Sequence, residues 1–372
     1  MTRVALFCSN FLPYSQSFVF EELQQHLRYD VEVFTHRRML ADRFPYDRVN
    51  VANPLHVVTG RSRLFRRRFA SGEFSVVHAH FGPAGTAALP YAERFRLPLL
   101  VTFHGYDVPL LRSFERFKPV HWPYALRAPR LLRGMTLGLC ASTELRELLL
   151  DLGVPADRLV VHRLGVDLAD FGPSERDDRG LRVMMIGRFV EKKGFEYGIR
   201  AFAGAAARVG DGLELTIVGS GEREAKLRDL VKTLKVADRV AFAGVLTRAE
   251  IAAQLGRSDV LLAPSVVGAN GNRESGLMVV KEASASQVVP IGTYHGGIPE
   301  IIDHESTGFL VPERDVTAMT QHLVTLSRDP ELRRRMGAAG RLKMEREYDN
   351  RERVAELEDR YDEARQRAAR EA

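Results

Sequence analysis

The stretch LRVMMIGRFVEKKGFEYGIRAFAGAAARVGDGLELTIVGSG, Leu181–Gly221, decides the fold. It opens on LRVMMIG, an almost wholly apolar run of strand length, and closes on a second such run, ELTIVG. Between them GFEYGIRAFAGAAARVG repeats its apolar residues at helical spacing. Strands that are nearly continuous apolar runs, alternating with helices, specify a parallel sheet covered on both faces. Downstream, VAFAGV, DVLLAPS, VVPIGT and GFLVP are further strand candidates, separated by EREAKLRDLVKTL, RAEIAAQL, GLMVVKEASA and DVTAMTQHLVTLSRD. Upstream, VALFCSN, VEVFTH, SVVHAHF, PLLVTFHG, LGLCAS and RLVVHRLG alternate with FVFEELQQHLR, AGTAALPYAERF and TELRELLLDLG. The fold class expected is α/β, with two doubly wound Rossmann-like domains facing across a cleft.

A chain of 372 residues exceeds one typical core and suits two domains. The polar stretch DLADFGPSERDDRG, Asp167–Gly180, breaks the periodicity. It predicts domains at 1–172 and 173–350, followed by a charged helical segment, 351–372, that either crosses back to brace the first domain or frays as a solvated tail. Doubly wound sheets bind ligands at the carboxyl ends of their strands, so the cleft between two such faces is the expected site.

Composition narrows the function classes. Hydrophobic residues at 45% and charged residues at 27% are ordinary for a soluble globular protein. No apolar run approaches the roughly 18–20 residues of a membrane span. The N-terminus MTRVALFCSNFLP reads as a strand, not a secretory signal. Cys8 and Cys140 lie inside apolar runs, as buried thiols do, with neither disulfide nor zinc spacing. The expected location is cytoplasmic. The net charge of +6 resides in the first half: residues 1–172 carry 22 Lys+Arg against 16 Asp+Glu, and the remainder 32 of each. It is densest in RSRLFRRRF, where Arg61, Arg63, Arg66, Arg67 and Arg68 accompany Leu64, Phe65 and Phe69. That pattern suits an anionic membrane surface and equally a solvated basic helix face. Nucleic acid is not an expected partner, since zinc-finger spacing and RNP-type aromatics are missing.

Several segments carry chemistry. Glu274 falls in the turn-like GANGNRESG, and Glu282 follows eight residues later, two helical turns on and on about the same helix face. Paired carboxylates on the rim of a site bind hydroxyls; the plain alternative is a first-turn acid complementing the helix dipole and a solvated second one. In GRFVEKKGFEYGI, Gly187–Ile199, Arg188 and Lys193 flank a loop that opens a helix at Gly194, a favourable setting for a diphosphate. VGSGE, Val218–Glu222, is a second glycine loop where backbone can approach a ligand. Neither loop is GxGxxG and no GxxxxGK[ST] occurs, which argues against a dinucleotide enzyme or P-loop ATPase. His78 and His80 alternate on one strand, so His80 and His104 can both lie at strand ends; histidines there are commonly structural. Trp122 and Tyr124 in KPVHWPYALR suit an acceptor loop or an aromatic core equally.

GRFVEKKG, VGSGE, the Glu274–Glu282 pair and HGGIPEII (His295–Ile302) together resemble the donor half of family-4 glycosyltransferases, which have the GT-B fold. HAHFG (His78–Gly82), TFHGYDV (Thr102–Val108) and HRLGVDLADF (His162–Phe171) resemble members that assemble bacterial exopolysaccharides such as colanic acid. The resemblance runs from about residue 1 to 350 and rests on the order of the motifs. It implies a retaining transferase moving a hexose-type sugar from a UDP- or GDP-sugar to a growing, lipid-linked glycan precursor at the inner membrane face. No Asp-x-Asp metal motif is seen, so neither metal nor other cofactor is expected. A soluble acceptor, an antibiotic or thiol precursor, is the alternative; a basic nucleic-acid-binding protein is the non-enzymatic one. By the resemblance, Arg188 and Lys193 hold the diphosphate and stabilise the leaving group, where fixed cations lower the barrier. Glu282 binds the ribose. Glu274 binds sugar hydroxyls, with the amides of Ser275, Gly276 and Leu277 nearby. Gly187, Gly219 and Gly221 line the nucleotide cleft, and His104 lies under the sugar from the other domain. Asp107 orients a neighbour or contacts the acceptor. The chain departs from the family at Ser275 and Gln287, where glycine is common. It departs again at NFLPYSQSFVF (Asn10–Phe20), which replaces a glycine-rich loop and puts Gln16 where exopolysaccharide members often carry an acid.

Overall fold

A computed structural model describes residues 2–13, 16–52, 62–174, 180–269, 271, 273, 274 and 276–371. The chain divides into two units: Met1–Gly165 with Asn350–Ala372, and Val166–Asp349. Each is described by itself.

In unit 1 the strands are β1 (Thr2–Phe11), β2 (Tyr29–Arg38), β3 (Val49–Val51), β4 (Phe74–His80), β5 (Leu99–Phe103), β6 (Leu137–Cys140) and β7 (Leu159–Val161). They form a parallel sheet in the order β3-β2-β1-β4-β5-β6-β7. Its helices are α1 (Ser17–Gln25), α2 (Arg63–Phe69), α3 (Gly82–Phe95), α4 (Asp107–Arg112), α5 (Trp122–Ala125), α6 (Ala128–Gly134) and α7 (Thr143–Asp151). Both sheet faces are apolar and both are covered, as the unbroken apolar runs require. Phe7, Phe34, Phe65, Phe69 and Tyr91 fill one side, and Val4, Leu6, Val31 and Leu100 the other.

In unit 2 the strands are β8 (Leu181–Ile186), β9 (Leu213–Val218), β10 (Val240–Gly244), β11 (Val260–Ala263), β12 (Val289–Thr293) and β13 (Phe309–Val311). They too are parallel, in the order β10-β9-β8-β11-β12-β13. The helices are α8 (Phe195–Val209), α9 (Glu224–Thr233), α10 (Arg248–Gly256), α11 (Met278–Ala285), α12 (Ile298–Ile301), α13 (Val316–Arg328) and α14 (Pro330–Glu347). The chain enters this unit at Val166, earlier than the polar stretch suggests, because Val166 and Phe171 are already part of its core with Met184 and Tyr348.

The final helix, α15 (Asn350–Glu371), belongs to unit 1. Leu357, Tyr361 and Ala364 complete the second apolar face of that sheet. Glu358 fastens the helix: its carboxylate accepts from the backbone N–H groups of Leu27, Arg28 and Tyr29. Against the pull of burial, His26 and Arg28 hold its pKa down to about 2.

Two features carry little signal in the sequence, and a third concerns the basic segment. β3 is a three-residue edge strand, too short to leave a periodic signal. α14 buries Leu332, Met336 and Met344 at helical spacing, but Arg333 and Lys343 share that face and blur its apolar signal; its start is fixed by Asp329, whose side chain caps Leu332 N–H, with Pro330 at the first position. On α2, Phe65 and Phe69 face the core and Arg68 pairs with Glu32 and Glu73, which leaves Arg63, Arg66 and Arg67 as an exposed basic face. Leu64 is its exposed apolar side chain; Arg61 lies outside the described residues.

Candidate active site

In unit 2 the strand order reverses between β8 and β11, the position at which doubly wound sheets bind their ligands. The first loop carries Gly187, Arg188, Lys192, Lys193 and Gly194; the second carries Glu274, Gly276 and Leu277. The loop after β9 packs directly on the first. Gly187 N–H donates to Val218 O at 3.0 Å, and Phe189 N–H to Ser220 O at 2.9 Å. A Cβ on Gly219 would stand 1.9 Å from Gly187 O, and one on Gly221 2.8 Å from Phe189 N. These glycines therefore allow loop to approach loop, a requirement that exists before any ligand arrives.

Lys192 and Lys193 end a 3-10 turn (Glu191–Lys193). Lys192 Nζ lies 3.0 Å from Glu274 Oε1 and Lys193 Nζ 3.2 Å from Oε2, with all three side chains only 12–14% exposed. Burial alone would raise the Glu274 pKa, but the Lys193 and Lys192 ammonium groups hold it down to about 2. Lys193 shifts the other way for an ammonium, downward, because burial outweighs its half-share of one carboxylate. The reason for the contrast is stoichiometric: two cations serve one anion. Arg188 is exposed, and its charge adds to the lowering at Lys193.

The backbone at Glu274 is positioned by two residues to which the sequence reading gave no role. Glu274 N–H donates to His295 Nε2 at 3.0 Å, and His295 Nδ1 lies 2.7 Å from Glu313 Oε1. Glu313 Oε2 accepts Val267 N–H at 3.0 Å. An amide donor on Nε2 assigns the proton of His295 to Nδ1, where the carboxylate accepts it. Glu313 is thus held below the usual carboxylate range despite burial, by Val267 N–H and His295.

Two expectations about the glutamates are corrected. Glu274 and Glu282 do not share a helix face, since α11 begins at Met278 and Glu274 precedes it in a non-helical loop. Glu282 is on α11 but only 9% exposed, which rules out a solvated acid. Gly276 is half-buried and Leu277 is the buried N-cap of α11; Ser275 lies outside the described residues. Gln287 has φ +58°, the left-handed conformation that favours glycine. It ends α11 in a Schellman pattern, with Val288 N–H on Ala283 O and Gln287 N–H on Ser284 O.

In unit 1, His80 ends β4 and His104 directly follows β5. His80 Nδ1 lies 2.9 Å from His104 Nε2, and His80 Nε2 lies 3.1 Å from Glu22 Oε1 on α1. Glu22 is held well below the usual carboxylate range despite its burial, chiefly by His80. Burial pushes His104 well below its usual pKa, which keeps the ring neutral. Phe18 and Phe81 pack on it, with ring centroids 4.9 and 4.4 Å away. Asp107 is fully buried and organises the loop that carries His104. Its carboxylate accepts from Gly82, Gly105 and Val108 N–H at 3.0, 3.0 and 3.2 Å. Asp107 thus orients its neighbours. His78 bonds the Tyr361 hydroxyl and Thr102 Oγ1, both at 2.8 Å. Glu22, His78 and His80 have ligand atoms within 4.8 Å of one another, a donor set suited to a metal ion. Yet all four imidazole nitrogens already have hydrogen-bond partners, so an ion there would have to break one.

Sequence reasoning missed Lys192, His295, Glu313 and Glu22. Lys192 sits beside Lys193, and His295 heads a motif already singled out, so both were within reach. Glu313 and Glu22 carry no local signal. Trp122 and Tyr124 divide: Tyr124 is buried, its hydroxyl against Gly82, and Trp122 is about half exposed.

The family profile described as Glycosyltransferase Family 4 matches residues 19–170, and that described as Glycosyl transferases group 1 matches residues 168–343. WcaL of Escherichia coli, named for colanic acid biosynthesis, is 32% identical over 67% of this chain; the match spans 60% of that protein's length. AmsK of Erwinia amylovora, an amylovoran biosynthesis glycosyltransferase, is 31% identical over 76% of this chain and 68% of its own. The crystal structure of HepE from Anabaena in complex with UDP superposes with a TM-score of 0.79 over 98% of this chain and 100% of that one, at 16% identity. Two parallel Rossmann-like sheets and this likeness define the GT-B fold. The chain belongs to the family-4 glycosyltransferases.

Proposed function

We propose that the protein transfers a hexose-type sugar from a UDP- or GDP-sugar, with retention of configuration, to a lipid-linked exopolysaccharide precursor. The observation that carries this reading is the buried Lys192–Lys193–Glu274 cluster at the strand-order reversal of unit 2. Concentrated positive charge there suits a diphosphate, whose negative charge grows as the glycosidic bond breaks. Lys193 and Arg188 bind the diphosphate, Glu282 the ribose and Glu274 the sugar hydroxyls. Glu274 holds the two ammonium groups in place until the diphosphate arrives. On unit 1, neutral His104 is a polar group suited to contact a substrate hydroxyl. The acceptor hydroxyl attacks the anomeric carbon on the face the diphosphate leaves, the bond to the phosphate oxygen breaks, and that oxygen takes the hydroxyl proton. Charge neutralisation is assigned to the side-chain cations, without a metal.

The names of WcaL and AmsK support a polysaccharide precursor as acceptor. Thermal shift with a panel of UDP- and GDP-sugars identifies the donor, since a ligand of the folded state raises its stability by mass action. Lys193→Ala and Glu282→Ala are expected to abolish that shift and reduce turnover at least a hundredfold. Unchanged turnover in either variant with every donor refutes the site.

A further inference from the structure

Six of the twelve large apolar side chains exposed among the described residues fall between Tyr106 and Leu126. Phe114 is 90% exposed, Leu126 79% and Val120 77%, and Phe117 and Trp122 stand beside them. They sit on three short turns in mutual contact: Phe114–Phe117, Pro119–His121 and α5. A contiguous exposed apolar patch on a soluble fold marks an interaction surface.

The segment is fixed from beneath, so its rings are not outward for want of an anchor. Tyr124 is buried against Gly82, and Leu110 and Leu111 of α4 are buried in the core. Trp122 Nε1–H donates to Phe117 O at 2.9 Å, and Arg116 lies over the Phe117 ring at 4.7 Å while donating to Leu111 O. Residues 112–130 hold five Lys or Arg and one acid, Glu115. Arg112, Lys118 and Arg130 do have acidic partners, Asp151, Glu115 and Glu93, but these pairs are exposed and weak enough to reopen against a stronger anion.

We propose that this segment, and not the Arg-rich α2, docks the protein on an anionic membrane. Aromatic and aliphatic side chains within a cationic surround match the headgroup–acyl boundary, where Trp is favoured and lipid phosphates attract Arg and Lys. The surface is continuous with the candidate acceptor side. The Tyr106 ring packs 5.4 Å from Phe81, which packs on His104, and α4 leads from Asp107 straight into the segment. A membrane bound here holds a lipid-linked acceptor beside the unit that carries His104. The inference rests on that acceptor class. Among the described residues no helix is long and apolar enough to cross a membrane.

Trp122 is the only tryptophan of the chain and stands within the patch, so it reports directly. The full chain is titrated with vesicles of equal phosphatidylglycerol and phosphatidylcholine. Trp122 emission is expected to shift to the blue, to be quenched by brominated acyl chains, and to lose both effects in 0.5 M salt or with pure phosphatidylcholine. The double variant Phe114→Ser/Leu126→Ser should partition at least tenfold less. Arg63→Ser/Arg66→Ser/Arg67→Ser on α2 should change partition less than twofold. No blue shift in the wild type, unaltered partition of the Phe114/Leu126 variant, or loss confined to the α2 variant overturns the proposal. So does a vesicle-free dimer in which Trp122 is already shielded, which identifies a protein partner instead. Should the Phe114/Leu126 variant fail to fold, brominated-lipid quenching of wild-type Trp122 decides alone. Donor thermal shift on the same samples separates the two readings. If it is absent in the wild type, the transferase reading fails; if it is intact without vesicle binding, only the docking surface fails.

Discussion

Replacing Glu274 by glutamine keeps the shape of the side chain and removes the one anion that two buried lysines share. A carboxyl whose pKa falls from 4.5 to about 2 on folding contributes roughly 3 kcal/mol at pH 7. The sign follows from the downward shift: the stabilisation is complete above about pH 4.5 and is lost as pH falls toward 2. At pH 3 about 1.4 kcal/mol remains by the same linkage. Burial of Lys193 already opposes its charge, which offsets part of the gain, so the expected net loss at pH 7 is about 2–3 kcal/mol. Urea unfolding followed by circular dichroism at pH 7 and pH 3 measures wild type against Glu274→Gln. Other depressed carboxyls such as Glu358 are common to both proteins and cancel in the difference. Adding Lys192→Met should cost less in the Glu274→Gln background than in the wild type, because the coupling it removes is already gone. A gap below about 0.5 kcal/mol at pH 7, or an equal gap at both pH values, refutes the idea that the ion cluster holds this loop.

Gly219→Ala forces a methyl to within 1.9 Å of Gly187 O at φ +132°; a loss of about 2 kcal/mol or more in urea unfolding and a weakened donor thermal shift are expected. Asp107→Ala leaves three backbone N–H groups without their acceptor, and about 3 kcal/mol of unit 1 stability should go with it in urea unfolding; on the proposed role of His104, most of the turnover is expected to go too. Gln287→Gly removes the strain of a left-handed φ of +58° and should stabilise unit 2 by about 0.5–1 kcal/mol, read in the same unfolding assay; a loss contradicts that account.

The doubly wound class and most strands were legible because a strand covered on both faces must be apolar at successive positions, and that pattern survives in one dimension. Where burial is one-sided or brief the signal fades, as at the three-residue β3. Of the candidate site, the sequence motifs supplied Lys193 and Glu274, which the structure brings together. The relations between site residues were not legible. Sequence spacing put the two glutamates on one helix face, but α11 starts four residues too late for that. The basic segment suited a membrane surface and a solvated basic face equally in the sequence, and only the structure shows that its Phe65 and Phe69 are core. The exposed apolar surface lies instead between Tyr106 and Leu126, where the composition is much like that of a buried segment.

The sequence alone determined the α/β class, the two-unit organisation, the family resemblance and the residue types at the site. These depend on local periodicity, on glycine placement and on short contiguous motifs. Tertiary structure alone decided which charges meet and which apolar groups face water. Lys192 and Lys193 reach Glu274 across about eighty residues of sequence, and His295 and Glu313 support it from two further strand ends. Glu22 reaches His80 only because parallel strands bring the ends of β1 and β4 side by side. Contacts between distant segments depend on sheet register and strand order, and neither is written in any local run of residues.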